Sequence, residues 1–220
     1  MTNTLYLPEL REMLAENNSA ELREFCYALH PARTAEFMEG LTPLESWEVL
    51  RHADPSQRVE IFHYFDLDKQ VEIIENVDRA EIGQLIGDMA PDDRVDVLEE
   101  VAPQVVSEVL PLVAPEERRD ILRLQSYPDG SAGAVMTTEF ARLSENLTVS
   151  EAIESVRQQA ESSETVYYLY VVDDDDHLHG LVSLRQILLA RPNVKIADIM
   201  ERTVVSVGVL DDQELVAQTI

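Results

Sequence analysis

Apolar side chains return along the first half of this chain on a period of twelve. In rows of twelve from Pro31 the sequence runs PARTAEFMEGLT, PLESWEVLRHAD, PSQRVEIFHYFD, LDKQVEIIENVD, RAEIGQLIGDMA, PDDRVDVLEEVA, PQVVSEVLPLVA and PEERRDILRLQS. Two weaker rows, LPELREMLAENN and SAELREFCYALH, precede them, so that ten units span Leu7 to Ser126. Their seventh, eighth and eleventh places are mostly apolar, as in Ile61, Phe62 and Phe65 or Val97, Leu98 and Val101. Those offsets line one face of a helix. Six units open on proline, which is harmless at a first helical position because the N–H it lacks has no intrahelical partner there. Asp54, Asp66 and Asp78 each stand just before such a position and are expected to cap the free N–H groups. Helices of two or three turns are not stable alone. They must stack, which predicts an all-α superhelical solenoid of twelve-residue helical repeats. Pro111 and Leu112 interrupt the pattern and predict irregular helices near the end.

The period stops at QSYPDGSAGAVM, residues 125–136, a stretch of turn residues that marks a boundary. Beyond it the pattern changes to α/β. Thr148 and Glu151 stand in capping-box spacing at the head of a helix running to Ala160, with Ala152, Ile153 and Val156 on one face. A strand TVYYLYVVD, a turn DDDDH, a strand LHGLVSL and a short helix SLRQILLA follow. The same order then restarts. Met200 answers Met136, Val204–Val207 is expected to repeat the strand near Ala141–Leu143, and Asp211–Ala217 repeats the helix opened at Thr148. The expected organisation is multidomain: a helical superhelix over 1–127, one α/β motif over 128–200, and the start of a second, truncated copy over 201–220.

Charge narrows the partners. With 17 Lys and Arg against 43 Asp and Glu the formal net charge is −26, which disfavours nucleic acid and anionic lipid surfaces, since both draw on clustered cations. Cations or basic proteins are the partners such a chain invites; a solubility charge or a halophilic source would give the same composition. The sixth place of the ten units reads Glu12, Glu24, Glu36, Glu48, Glu60, Glu72, Gln84, Asp96, Glu108 and Asp120, a candidate acidic stripe. A single cysteine, Cys26, reads as a buried thiol in a reducing compartment. There is no signal-peptide pattern at the N-terminus and no apolar run long enough to cross a bilayer, so the chain reads as soluble. No phosphate loop, nucleophile elbow or Cys/His cluster is present, and the chain is read as not an enzyme. In DDDDHLH, residues 173–179, His177 and His179 share a strand face at a spacing that also suits a transition metal; the reading adopted is a polar turn between strands. Trp47 is read as packing, and His30, His52 and His63 as surface or helix-end residues.

The stretches VMTTEFARLSENLTVSEAI, YVVDDDDHLHGLVSLRQIL and IADIMERTVVSV resemble a pair of CBS motifs, the second cut short. Set behind a twelve-residue helical solenoid, with AGAVMT at the junction, the whole resembles the cytosolic region of the MgtE family of magnesium transporters and channels. That resemblance implies a Mg²⁺-sensing regulatory region on the cytoplasmic face of the cell membrane. It also implies a transmembrane pore domain outside this chain, and a homodimer formed through CBS domains. In such proteins Mg²⁺ lodges between acidic surfaces of the helical and CBS domains and favours the closed pore. By position, Glu60, Asp92 and Asp96 of the solenoid and Asp212 and Glu214 of the second CBS copy match the family's ion sites.

Independently of the family, facing acidic surfaces repel, and a hard divalent cation that keeps its waters bridges carboxylates without a tight cage. A site tuned near millimolar needs only about 4 kcal/mol. CBS pairs often bind adenine nucleotides through an aspartate that follows a Gly–hydrophobic–hydrophobic–Ser/Thr stretch. Here Gly180 and Ser183 are followed by Gln186, so ATP lacks that carboxylate in this copy. Two other functions fit the pattern: a soluble CBS-module nucleotide sensor with a helical adaptor, and a helical-repeat scaffold for protein interaction.

Overall fold

A computed structural model describes residues 6–160, 163 and 165–219. Ten helices occupy the first part: α1 (Leu7–Ala15), α2 (Ser19–Ala28), α3 (Pro31–Met38), α4 (Pro43–Leu50), α5 (Pro55–His63), α6 (Leu67–Asn76), α7 (Arg79–Asp88), α8 (Pro91–Glu100), α9 (Pro103–Val109) and α10 (Pro115–Leu124). Every one begins on the first place of a twelve-residue row. The irregularity expected at Pro111 is a single 3₁₀ turn, Leu110–Leu112, that carries α9 toward α10.

Each helix from α3 to α8 packs on the next but one: α3 on α5, α5 on α7, α7 on α9, and α4 on α6, α6 on α8, α8 on α10. The structural repeat is therefore a pair of helices, and odd and even members form two stacked layers. Ile61, Phe62, Ile73, Ile74, Leu85, Ile86, Val97 and Leu98, all from the seventh and eighth places, are buried between them. Cys26 is buried as well, and burial pushes its thiol pKa up to about 11, which leaves it inert at neutral pH. Trp47 is 2% exposed, bonds to Glu81 through its indole N–H and lies under Arg58, so it is a packing residue.

Caps fix where the helices start. Asp54 accepts from Gln57 N at 3.0 Å and Asp78 from Ala80 N at 2.9 Å. Asp66 does not cap α6 with its side chain. Its main-chain oxygen already takes the N–H groups of Lys69 and Gln70 at 2.9 and 3.1 Å, and this tight first turn satisfies the donors that a carboxylate would have met.

A second set of contacts closes the other helix ends. The fourth place of a row carries Arg58, Gln70, Arg94 and Arg118, which reach back to main-chain carbonyls between the helices. Arg58 donates to Leu50 and Ala53, Gln70 to His63 and Phe65, Arg94 to Ala90 and Arg118 to Pro111. Arg58, Gln70 and Arg118 thus fill carbonyls of the preceding helical turn, whereas Arg94 bonds the N-cap carbonyl of its own helix.

The contacts divide the chain into two units, Met1–Leu124 and Gln125–Ile220. The second holds β1 (Phe140–Leu143), α11 (Val149–Gln159), β2 (Thr165–Val172), β3 (Leu178–Ser183), α12 (Leu184–Leu189), a 3₁₀ turn Ile196–Asp198, and α13 (Gln213–Thr219). The sheet order is β1-β2-β3, with β1 parallel and β3 antiparallel to β2. Ala141, Leu143, Ala152, Val156, Leu169, Val171, Val182 and Ile187 form its core. Thr148 and Glu151 make the expected capping box on α11. Gly180 allows the main chain of Glu201 to lie against β3; a Cβ there would sit 2.8 Å from the Glu201 oxygen.

Val204–Val207 forms no strand, against expectation. Among the described residues no neighbouring strand pairs with it, and an extended segment without a ladder leaves its main-chain groups to water. Among the described residues, no helix is long and apolar enough to cross a membrane.

Candidate metal-binding surface

Carboxylates concentrate at the head of α8. Pro91 starts the helix, and Asp92 and Asp93 occupy its first turn, where the positive end of the helix dipole favours negative charge. Asp96 follows Asp92 by four residues and shares its face. Neither Asp92 nor Asp96 has a cationic partner among the described residues, and the same holds for Glu60 on α5. Partial burial, and after it the neighbouring Asp92 charge, holds Asp96 above the usual carboxylate range. Asp93 is raised chiefly by burial; the Asp92 and Asp96 charges add to this, and His63 opposes it.

The sequence offered no sign of that histidine's role. His63 ends α5, and its Nδ1 lies 3.1 Å from Asp93 Oδ2, which joins α5 to the head of α8. Glu60 stands one turn before His63 on α5, so it shares the face that His63 presents. The only signal available beforehand was that His63 and Asp93, the ninth place of one row and the third of another, both fall outside the apolar face.

Six of the other sixth-place carboxylates divide into two kinds. Glu36, Glu48 and Glu108 are paired, with Arg33, Arg51 and Arg79 respectively. Glu12, Glu24 and Glu72 are exposed and have no salt bridge among the described residues. The column is therefore a solvated face, neutralised in part, with its unpaired acids most crowded on α8.

In the second unit Asp212 precedes α13 and accepts from Glu214 N at 2.8 Å through its own carboxylate. Both residues are exposed. The segment ahead of α13 is tied to the start of the unit: Ala132 N donates to Asp211 O, and Gln213 N to Gly130 O, each at 2.8 Å. The five predicted residues thus fall into two groups, Glu60, Asp92 and Asp96 in the helical unit and Asp212 and Glu214 in the α/β unit. Among the described residues no three or more His, Cys, Asp or Glu side chains stand ready to enclose a metal. Mg²⁺ held through its own waters does not need such a cage.

Beside β2 and β3 lies an open cleft of about 1060 Å³ lined by Tyr167, Tyr168, Ser183, Gln186, Leu189 and Glu201 among others. Gln186 is engaged locally: its Oε1 accepts from Ser183 N and Oγ at 2.8 and 2.7 Å, which caps α12.

A solenoid of twelve-residue helical repeats followed by a small α/β unit with a three-stranded sheet defines a two-module chain. Residues 29–130 match the model of the MgtE intracellular N domain and residues 132–193 that of the CBS domain. The chain belongs to the MgtE family. It is 48% identical over 101 residues to the magnesium transporter MgtE of Enterococcus faecalis and 39% identical over 99 residues to that of Thermus thermophilus. Each match covers under half of this chain, 46% and 45%, and 22% of the relative. The crystal structure of the soluble part of a magnesium transporter matches with a TM-score of 0.88 and 33% identity, over 96% of this chain and 84% of that one. The cytosolic domain of the Mg²⁺ channel MgtE in complex with ATP matches with 0.86 and 30%, over 95% and 86%.

Proposed function

We propose that the chain is the Mg²⁺-sensing regulatory region of a magnesium transporter or channel, on the cytoplasmic face of the membrane that holds its pore. Mg²⁺ bridges acidic surfaces of the helical and CBS domains and favours the closed pore. Glu60, Asp92 and Asp96 serve on the helical domain, and Asp212 and Glu214 on the second CBS copy, which begins near residue 201. The CBS domains supply the homodimer contact. The names of the relatives support the ion and the pore. The observation that carries the sensing role is the face of α8, where Asp92 and Asp96 stand one turn apart without a cation.

Such a face is costly beside another acidic surface and becomes favourable once divalent ions lie between them. Several weak sites, each preferring the closed arrangement, shift a two-state equilibrium steeply. Small-angle scattering tests this between zero and tens of millimolar Mg²⁺. Compaction is expected, and it should weaken when Asp92 and Asp96 are both replaced by Asn. A profile that stays constant over that range overturns the reading.

A second reading, nucleotide sensing, is favoured by the cleft beside β2 and β3 together with the ATP complex of the related cytosolic domain. Against it stands Gln186, whose carbonyl oxygen caps α12 and carries no charge for ribose hydroxyls. Calorimetry with ATP and AMP separates the two readings.

A further inference from the structure

We infer that Gln159 is a guard: its carboxamide stands in for a neighbouring strand along the outer edge of β1 and keeps that edge from pairing with a second copy of this chain. A sheet ordered β1-β2-β3 has two rims. Each presents main-chain N–H and C=O groups that invite another strand. Along β3 the rim is met by main chain: Leu181 N donates to Glu201 O at 2.9 Å, and Glu201 N to Leu181 O at 2.8 Å. Along β1, among the described residues, no strand or isolated bridge plays that part.

A side chain does so instead. Arg142 N donates to Gln159 Oε1, and Gln159 Nε2 donates to Arg142 O, both at 2.9 Å. This double exchange is what a hydrogen-bonded pair of residues makes across an antiparallel ladder. Gln159 ends α11 and lies on the same helical face as the buried Ala152 and Val156, so the packing of α11 on β1 carries its side chain to the rim. Ser155, one turn earlier, accepts from the same Nε2 through Oγ at 3.0 Å, which fixes which end of the amide meets which main-chain group.

A carboxamide turns away by side-chain rotation, whereas Glu201 can leave β3 only by moving main chain. The rim of β1 is therefore the one that a single substitution opens. Paired antiparallel with its equivalent in another molecule, β1 would close on a two-fold axis, with the same residues used on both sides. Two further features oppose this. The Arg142 guanidinium lies 4.7 Å from the Phe140 ring centre and 3.5 Å from Asp176 Oδ1, and a charged side chain on a rim deters pairing. The formal net charge of −26 makes copies of the chain repel. Salt screens that repulsion, so at high ionic strength the amide matters most.

The test compares Gln159→Met, which keeps the length of the stem and loses the amide, with wild type and with Gln158→Ala, which removes an exposed amide from the neighbouring position, all in high salt. In dilute Gln159→Met, hydrogen exchange at the Arg142 amide should quicken by about three- to tenfold, the effect of losing one hydrogen bond. Sedimentation velocity from micromolar to millimolar should show this variant adding an association step that wild type and Gln158→Ala lack. Gln159→Glu, whose carboxylate still accepts from Arg142 N and brings a charge to the rim, should keep that amide protected and stay in the wild-type state. Met and Glu are good helix formers, so both variants are expected to retain the native circular dichroism. An Arg142 amide as protected in Gln159→Met as in wild type, or association no greater than that of wild type, overturns the proposal.

Discussion

Lys69 Nζ donates to the main-chain oxygen of Met38 at 2.5 Å, a link between the third place of one row and the end of a helix thirty-one residues earlier. The same ammonium reaches Glu39 O and Leu41 O, each at 3.1 Å, and lies 5.0 Å from the Phe65 ring centre. It closes the C-terminal end of α3 from α6. Lys69→Met keeps the aliphatic stem but leaves three carbonyls without this donor, and should cost about 1–3 kcal/mol in urea unfolding.

The same residue predicts a pH dependence. Burial lowers the Lys69 pKa from 10.5 to about 8, while Glu39, Glu72 and Glu45 oppose the shift. Since folding lowers the value, the unfolded chain binds the proton more tightly between those limits. The Lys69 contribution to stability therefore rises with pH from about 8 toward 10.5 and is lost as pH falls through 8. Wild-type stability should gain on Lys69→Met across that window in paired denaturation curves. Parallel curves would refute the shift.

Arg79 occupies a first place where most units have proline, and the structure gives a reason. Its Nη1 donates to Ile74 O, Glu75 O and Val77 O at 3.1–3.2 Å, and its Nε pairs with Glu108 at 2.9 Å. Restoring the sequence period with Arg79→Pro should therefore destabilise the helical unit, by about 1–3 kcal/mol. Thermal unfolding of the two chains decides it; an unchanged or raised melting temperature would show that the period alone matters.

The twelve-residue rows made the helix starts legible because a single short unit is repeated, so apolar face and first place could be checked ten times over. The donors that hold the units together were harder to see. Arg58, Gln70, Arg94 and Arg118 form a column, but Ile82 and Val106 interrupt it, and nothing local shows that an arginine as buried as Arg94, 1% exposed, serves main-chain oxygen. Val204–Val207 looked like a strand by composition, yet strand formation depends on a neighbour that composition does not contain. At the candidate surface the aspartates of α8 were visible as letters one turn apart. The His63–Asp93 contact was not, because it joins residues thirty apart through the stacking of helices.

Asp92 and Asp96 allow the charge argument to be tested without any pore. Like charges four apart on a helix destabilise it by about 0.2–0.5 kcal/mol. The raised Asp96 pKa has the same origin in part, and its sign is opposite to that of Lys69: the folded chain binds this proton more tightly, so the Asp96 contribution falls as pH rises through the carboxylate range. Asp96→Asn should therefore raise the melting temperature slightly in Mg²⁺-free buffer at neutral pH. The gain should shrink in high salt, which screens exposed charges, and as pH falls through the carboxylate range and Asp96 takes up its proton.

Gly83 on α7 sets how closely the 3₁₀ turn can approach. A Cβ at this position would lie 2.9 Å from Leu112 Cβ and 3.3 Å from the Leu112 carbonyl carbon, and Gly83 is itself buried. In an exposed helix interior Gly→Ala is stabilising; here the main chain of Leu110–Leu112 would have to move, and α9 and α10 are joined through it. Overpacking of this kind costs about 1–3 kcal/mol. Gly83→Ala should lower the urea midpoint, whereas Gly87→Ala, one turn further on with nothing within 4 Å of the added carbon, should raise it. If both substitutions stabilise the protein, the turn is looser than this packing implies.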